Sequence, residues 1–301
     1  VSRIDSAREL VARQGLELLL VSPSADLRYL ADYAAHASER PTLLAVSAEG
    51  PARILVPQLE APRLPVFDGV DLVVYDETED PYHRLAEALG DREPRSVALS
   101  DQTWAAVLLQ LQTVWPGTQF MPASPILREL RMRKSMEEVE ALERAGHLAD
   151  EVFAGLRQVT LQGRSERDVS SILEGMLRER GLSDVWQVVA SGPNSASPHH
   201  MSGDRIITSG DAVVLDFGGS LAGYQADITR TVYLGPPDDE FVRVYEVVRQ
   251  AQDASVRAAV PGVSAEEIDT AARSVIEAAG YGSFFIHRTG HGIGMEVREE
   301  P

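Results

Sequence analysis

Along the first 125 residues the apolar positions change period again and again. Helical spacing over 6–14 gives way to short, wholly apolar or β-branched runs at 18–21, 42–46, 54–56 and 72–75, which predict buried strands. A helix follows over 82–89, a strand over 96–100 and an apolar-faced helix over 104–114. The alternation predicts an α/β domain. Its glycines at 50, 69 and 90 stand singly at turns, so no Gly-rich phosphate loop is present and a nucleotide site is disfavoured. His36 and His83 read as solvated or packing residues.

Between 125 and 134 the pattern turns basic while keeping helical spacing, which predicts a connecting helix and a domain boundary. Ser135 and Glu138 have the spacing of a capping box, opening a helix that runs to about residue 156. An internal repeat then emerges. Gly163, Ser165, Val169 and Gly181 recur as Gly262, Ser264, Ile268 and Gly280, each displaced by 99 positions. In both copies a long helix precedes the first Gly, the Ser caps a second helix and the later Gly ends it. The first copy continues into a hairpin over 212–234, whose counterpart at the same offset falls beyond residue 310. The chain is therefore expected to stop short of completing its second repeat.

Composition narrows the function classes. At 301 residues the chain has room for about two domains. Its 44% hydrophobic and 25% charged content is that of a globular protein. A net charge of -18 repels phosphate backbones and anionic bilayers, which argues against nucleic-acid and membrane-surface partners. No apolar run is long enough to span a membrane, and no secretory signal is visible. With no Cys there are no disulfides, thiolate metal sites or Cys nucleophiles, which suits a cytoplasmic protein.

Three segments carry the candidate chemistry. In Val213-Val214-Leu215-Asp216-Phe217-Gly218 and Gln225-Ala226-Asp227-Ile228-Thr229 two apolar stretches flank a Gly-containing turn and predict an antiparallel hairpin. A turn centred on Leu221 and Ala222 sets Asp216 directly opposite Asp227. Two like charges so placed destabilise a sheet unless a cation lies between them, so the pair predicts a divalent metal site. The second segment, His287-Arg288-Thr289-Gly290-His291-Gly292-Ile293-Gly294, packs two His among three Gly, with Gly on both sides of His291 to let backbone or ligand approach its ring. The third is a loop of turn formers from Gly192 to His200 that delivers His199 and His200 ahead of the hairpin.

At these residues the chain resembles the metal-dependent peptidases of the prolidase and aminopeptidase P group. The likeness covers essentially the whole chain and is strongest in the Asp hairpin and the His-Gly segment. It implies a creatinase-type α/β N-terminal domain over 1–125, the connecting helix over 126–134, and a duplicated α+β pita-bread metallopeptidase domain over 135–301 that lacks the end of its second repeat. Matched position by position, it implies that Asp216, Asp227 and His291 are metal ligands, that His199 and His287 contact substrate, and that Arg298 stands where the prolidase pattern has His. The implied cofactor is two divalent ions, manganese ahead of cobalt or zinc. The implied partner is a small peptide with proline in second position, bound by a homodimer.

Two departures from the pattern bear on chemistry. The family's two further Glu ligands lie on strands after the His motif, and Glu299 and Glu300 do not occupy those positions, so the chain as given is expected to be inactive. Arg298 can donate a hydrogen bond to an oxyanion but cannot exchange a proton near neutral pH. The expected activity is two-metal hydrolysis of the bond between an N-terminal residue and proline. Cleavage of longer Xaa-Pro peptides, a metal-free creatinase-like hydrolase and a non-catalytic binding protein are the alternatives.

Overall fold

The computed structural model describes residues 2–64 and 69–300 and divides into two compact units, Val1–Arg133 and Lys134–Pro301. In the first, α1 (Arg3–Arg13), β1 (Leu18–Val21), α2 (Ala25–Ala31), β2 (Leu43–Ser47), β3 (Ala52–Pro57) and β4 (Val70–Tyr75) are followed by α3 (Pro81–Ala88), β5 (Ser96–Leu99), α4 (Ala105–Val114), β6 (Gln119–Pro122) and α5 (Ser124–Arg131). The strands form one mixed sheet in the order β4-β3-β2-β1-β5-β6. β1 is buried along its whole length, as its unbroken Leu-Leu-Leu-Val run requires. Helix α1 starts before the spacing indicated, because Ser2 and Asp5 form a reciprocal capping box ahead of the first apolar turn. Helix α2 and strand β6 were not expected: each is short, and β6 is mostly exposed or half-buried. His36 and His83 are exposed.

The second unit contains α6 (Met136–Leu156), α7 (Glu166–Glu179), β7 (Ser183–Ser191), β8 (Ala212–Leu221), β9 (Tyr224–Tyr233), α8 (Asp239–Ala258) and α9 (Ala265–Ala278). The three strands form an antiparallel sheet in the order β7-β8-β9. The small residues Ala145 and Ala149, with Val152 and Leu156, let α6 lie close on the sheet, where they join Val169, Leu173 and Leu177 of α7 against Val213, Leu215 and Phe217. Alternation along β8 then turns Val214, Asp216 and Gly218 to the opposite face.

The repeat is visible in detail. Helices α7 and α9 have 14 residues each and begin and end 99 positions apart. Both open on a capping box, Ser165 with Asp168 and Ser264 with Glu267. The paired glycines share the left-handed conformation, Gly163 at φ 85° with Gly262 at 90°, and Gly181 at 85° with Gly280 at 87°. The surroundings differ, since Ala149 is fully buried under the sheet whereas Val248, 99 positions on, is 55% exposed. Among the described residues no helix is long and apolar enough to cross a membrane.

Candidate metal centre

The β8–β9 hairpin turns at Ala222 and Gly223, both left-handed at φ 51° and 93°, which is the two-residue loop whose twist suits paired strands. That moves the register two residues from the expected one. Asp216 faces Thr229, and Asp227 faces Gly218. The expectation that the two Asp stand directly opposed is therefore corrected: they are diagonal neighbours. The error was in the turn, since Gly223 takes the second left-handed position and pulls the centre one residue on. Because the shift is even, both carboxylates keep the same sheet face, away from the helices.

On that face Asp216 accepts a hydrogen bond from the Thr229 hydroxyl. Asp227 is pushed above the usual carboxylate range, first by burial and then by the charge of Asp216, while His291 and Arg298 pull it down. His291 brings Nε2 to 3.5 Å from the Asp227 carboxylate. Its Nδ1 lies 2.9 Å from the Gly292 carbonyl, an oxygen that can only accept, so Nδ1 carries the proton. An unprotonated Nε2 and the carboxylate can share a cation, whereas a protonated Nε2 pairs with Asp227 directly as an imidazolium. Donors about 2.0–2.2 Å from one ion stand roughly 3.0–3.5 Å apart, so the pair fits a shared divalent metal. Among the described residues, however, no group of three or more His, Asp or Glu closes on one point. Asp227 and His291 meet, and Asp216, turned to Thr229, stands beside them without completing a three-ligand cluster.

The remaining expected residues sit on loops held by buried carboxylates. His199 is exposed, and its neighbour His200 is bound 2.7 Å from Glu166. Fully buried Glu166 also accepts from the Ser191 backbone N–H and hydroxyl, both at 2.8 Å, from the Asn194 amide and from the Gly203 N–H at 3.2 Å. These donors outweigh burial and hold its carboxyl down at about 2. His287 is also exposed, and its loop is tied to α9. Asp269 accepts from Arg273 and from Thr289 N–H at 2.7 Å, while Arg273 donates to the carbonyls of Phe285 and His287. Arg298 is exposed and near enough for its charge to act on Asp227.

Several residues at the site were missed. Trp186 pairs with Gly218, and a Cβ added to Gly218 would stand 1.9 Å from the Ala226 carbonyl and 2.8 Å from the Trp186 ring. Glu166 directly follows a helix cap, where an acid usually serves the helix dipole in solvent, so nothing in the sequence marked it as buried. The glycines after His291 admit chain: Cβ atoms at Gly292 and Gly294 would collide with the Glu300 carbonyl and the Glu299 carboxylate.

Residues 140–301 match metallopeptidase family M24, and residues 3–133 match the creatinase/prolidase N-terminal domain. The chain belongs to metallopeptidase family M24. It carries the creatinase-type α/β unit ahead of the pita-bread unit. It is 37% identical over 305 residues to a probable dipeptidase PepE of Mycobacterium tuberculosis, covering 99% of this chain and 81% of that one. An Xaa-Pro dipeptidase of Lactobacillus delbrueckii subsp. lactis is 32% identical over 312 residues, covering 99% and 83%. The crystal structure of a recombinant prolidase from Thermococcus sibiricus superposes with a TM-score of 0.93 at 36% identity, covering 99% of this M24 chain and 83% of that one. Family membership implies divalent metal ions. None of these likenesses bears out the expectation of an inactive chain.

Proposed function

We propose that the protein hydrolyses the peptide bond between an N-terminal residue and proline, as an Xaa-Pro dipeptidase, with divalent ions held by Asp216, Asp227 and His291. The observation that carries the reading is the approach of His291 Nε2 to the Asp227 carboxylate at 3.5 Å on the hairpin face that also presents Asp216. The names of the dipeptidase and prolidase relatives support the substrate class. Ions bound there would polarise the scissile carbonyl and make a water nucleophilic near neutral pH.

The chain's own residues then bind and orient. His199 and His287 contact the substrate from loops whose backbone is pinned by Glu166 and by Asp269 with Arg273, so less of the chain has to be ordered at the moment of binding. Arg298 donates hydrogen bonds to the oxyanion as it develops and, being permanently charged, moves no proton. An Xaa-Pro bond has no N–H, so recognition falls on ring shape rather than on a scissile amide donor. Two ions, manganese ahead of cobalt or zinc, a dipeptide substrate, a homodimer and a cytoplasmic location complete the reading; the absence of Cys supports the last.

Hydrolysis of alanylproline, alanylprolylalanine and alanylalanine, after chelation and again with added manganese, cobalt or zinc, tests the proposal. Metal-dependent cleavage of alanylproline ahead of the other two is expected. Metal binding without cleavage of any of them would instead assign the fold a binding role.

A further inference from the structure

The chain has a single lysine, Lys134, placed just before the Ser135 cap of α6. Its Nζ lies 3.1 Å from the Glu299 carboxylate, and both side chains are largely buried, at 15% and 6% exposure. A buried ion pair is seldom worth its desolvation for stability alone, although breaking one side of it is costly. What this pair touches points to a different role. The second carboxylate oxygen of Glu299 accepts the Glu296 N–H at 3.1 Å. The Glu299 backbone exchanges two hydrogen bonds with Gly292, at 3.1 and 2.9 Å, so residues 292–299 form a small closed hairpin with the carboxylate folded inside it. Gly294 must lack a side chain because a Cβ there would be 2.4 Å from that carboxylate.

The small hairpin is joined to β9 at Gln225. The Gln225 N–H donates to the Gly294 carbonyl at 2.8 Å, two residues before Asp227. One end of the small hairpin therefore carries His291 and the other Arg298, the two groups that act on Asp227. Close by, α6 is fastened to the start of the same strand by the Tyr224 hydroxyl, which donates to Glu138 at 2.8 Å. We propose that the Lys134–Glu299 ion pair is a positioning device of the metal centre, fixing the 292–299 hairpin and through it the ring of His291 and the guanidinium of Arg298 beside Asp227. Neither residue touches substrate or metal.

The proposal rests on the metal reading for its functional consequence, and the test separates the two. Lys134→Met, Glu299→Gln, the conservative Lys134→Arg and the exchanged pair Lys134→Glu/Glu299→Lys are compared with the wild type. Manganese affinity is measured by calorimetry, and amide exchange is followed residue by residue. Each charge-removing variant should weaken manganese binding by about 10- to 100-fold, the range seen when partners of metal ligands are lost. Amides of Gly292, Glu299 and Gln225 should exchange at least about tenfold faster, while Leu215 and Phe217 in the sheet core keep their protection. Lys134→Arg should keep both readouts near wild type, whereas the exchanged pair, which leaves the Glu296 N–H without its carboxylate acceptor, should not. Unchanged exchange at Gly292 and Gln225, or an equal loss at all five amides, would overturn the positioning role. If the wild type binds no manganese, the metal reading falls, and the exchange arm still decides whether the pair holds the hairpin.

Discussion

Glu166→Gln gives the sharpest test of how the loop carrying His199 is held. The substitution preserves size but replaces one carboxylate oxygen with an NH2 group. One oxygen accepts the Ser191 N–H and the other the Gly203 N–H. Whichever way the amide is turned, one backbone donor loses its acceptor, at a cost of about 1–3 kcal/mol in a buried site. Titration gives a second route to the magnitude. The Glu166 carboxyl is lowered from 4.5 to about 2. A shift of that size is linked to about 3 kcal/mol of stability. Because the folded value is depressed, the contribution is full above the unfolded value near 4.5 and is lost as pH falls through about 2. Urea unfolding followed by circular dichroism at pH 7, 4.5 and 3 should show the variant about 2–3 kcal/mol less stable at pH 7. By pH 3 the difference should shrink to less than half, since a neutral Gln resembles a protonated Glu. Asp211 and Asp269 are lowered to about 2 as well, so only the difference between variant and wild type isolates Glu166. A difference below about 0.5 kcal/mol at pH 7, or one that stays constant down to pH 3, would refute the reasoning.

Three further outcomes follow from the geometry. Gly218→Ala forces a methyl group against the Ala226 carbonyl and the Trp186 ring and should cost about 3 kcal/mol or more, read as a large drop in melting temperature. Ala222→Asn places a residue tolerant of φ 51° ahead of Gly223 and should stabilise the hairpin by about 0.5–1 kcal/mol in the same assay; a loss instead would contradict the turn assignment. Arg298→Ala should lower kcat on alanylproline by up to about 10²- to 10³-fold with a smaller change in KM, whereas Arg298→His should retain activity and add a titration near pH 6.5; wild-type kinetics in both would place Arg298 outside the reaction.

Much of this molecule is legible in its sequence because local signals and tertiary packing agree. The Ser135–Glu138 capping box and the 99-residue repeat of Gly and Ser depend on interactions within a few residues of the signal, and the wholly apolar β1 run is buried between β2 and β5 as its composition requires. The hairpin was legible and its register was not, because one glycine decides the turn and a one-residue displacement of the centre moves every cross-strand pair by two. The acids that organise the site were hidden for another reason. Glu166 and Glu299 look like surface charges in sequence, and only the long-range arrival of Ser191, Gly203 and Lys134 makes their burial possible. Of the backbone or ligand expected beside His291, it is backbone that lies against Gly292, while the Glu299 carboxylate lies against Gly294.

The most direct test of the metal assignment is manganese-dependent hydrolysis of alanylproline by the wild type and by Asp227→Asn, each stripped of metal and then titrated with the ion. Asn keeps the shape of the side chain and removes the charge that, with His291 Nε2, would hold a cation. The wild type should be inactive when stripped and recover as manganese is added, whereas Asp227→Asn should stay folded and inactive at every concentration. Hydrolysis by the stripped wild type, or recovery of the variant at wild-type manganese levels, would contradict it.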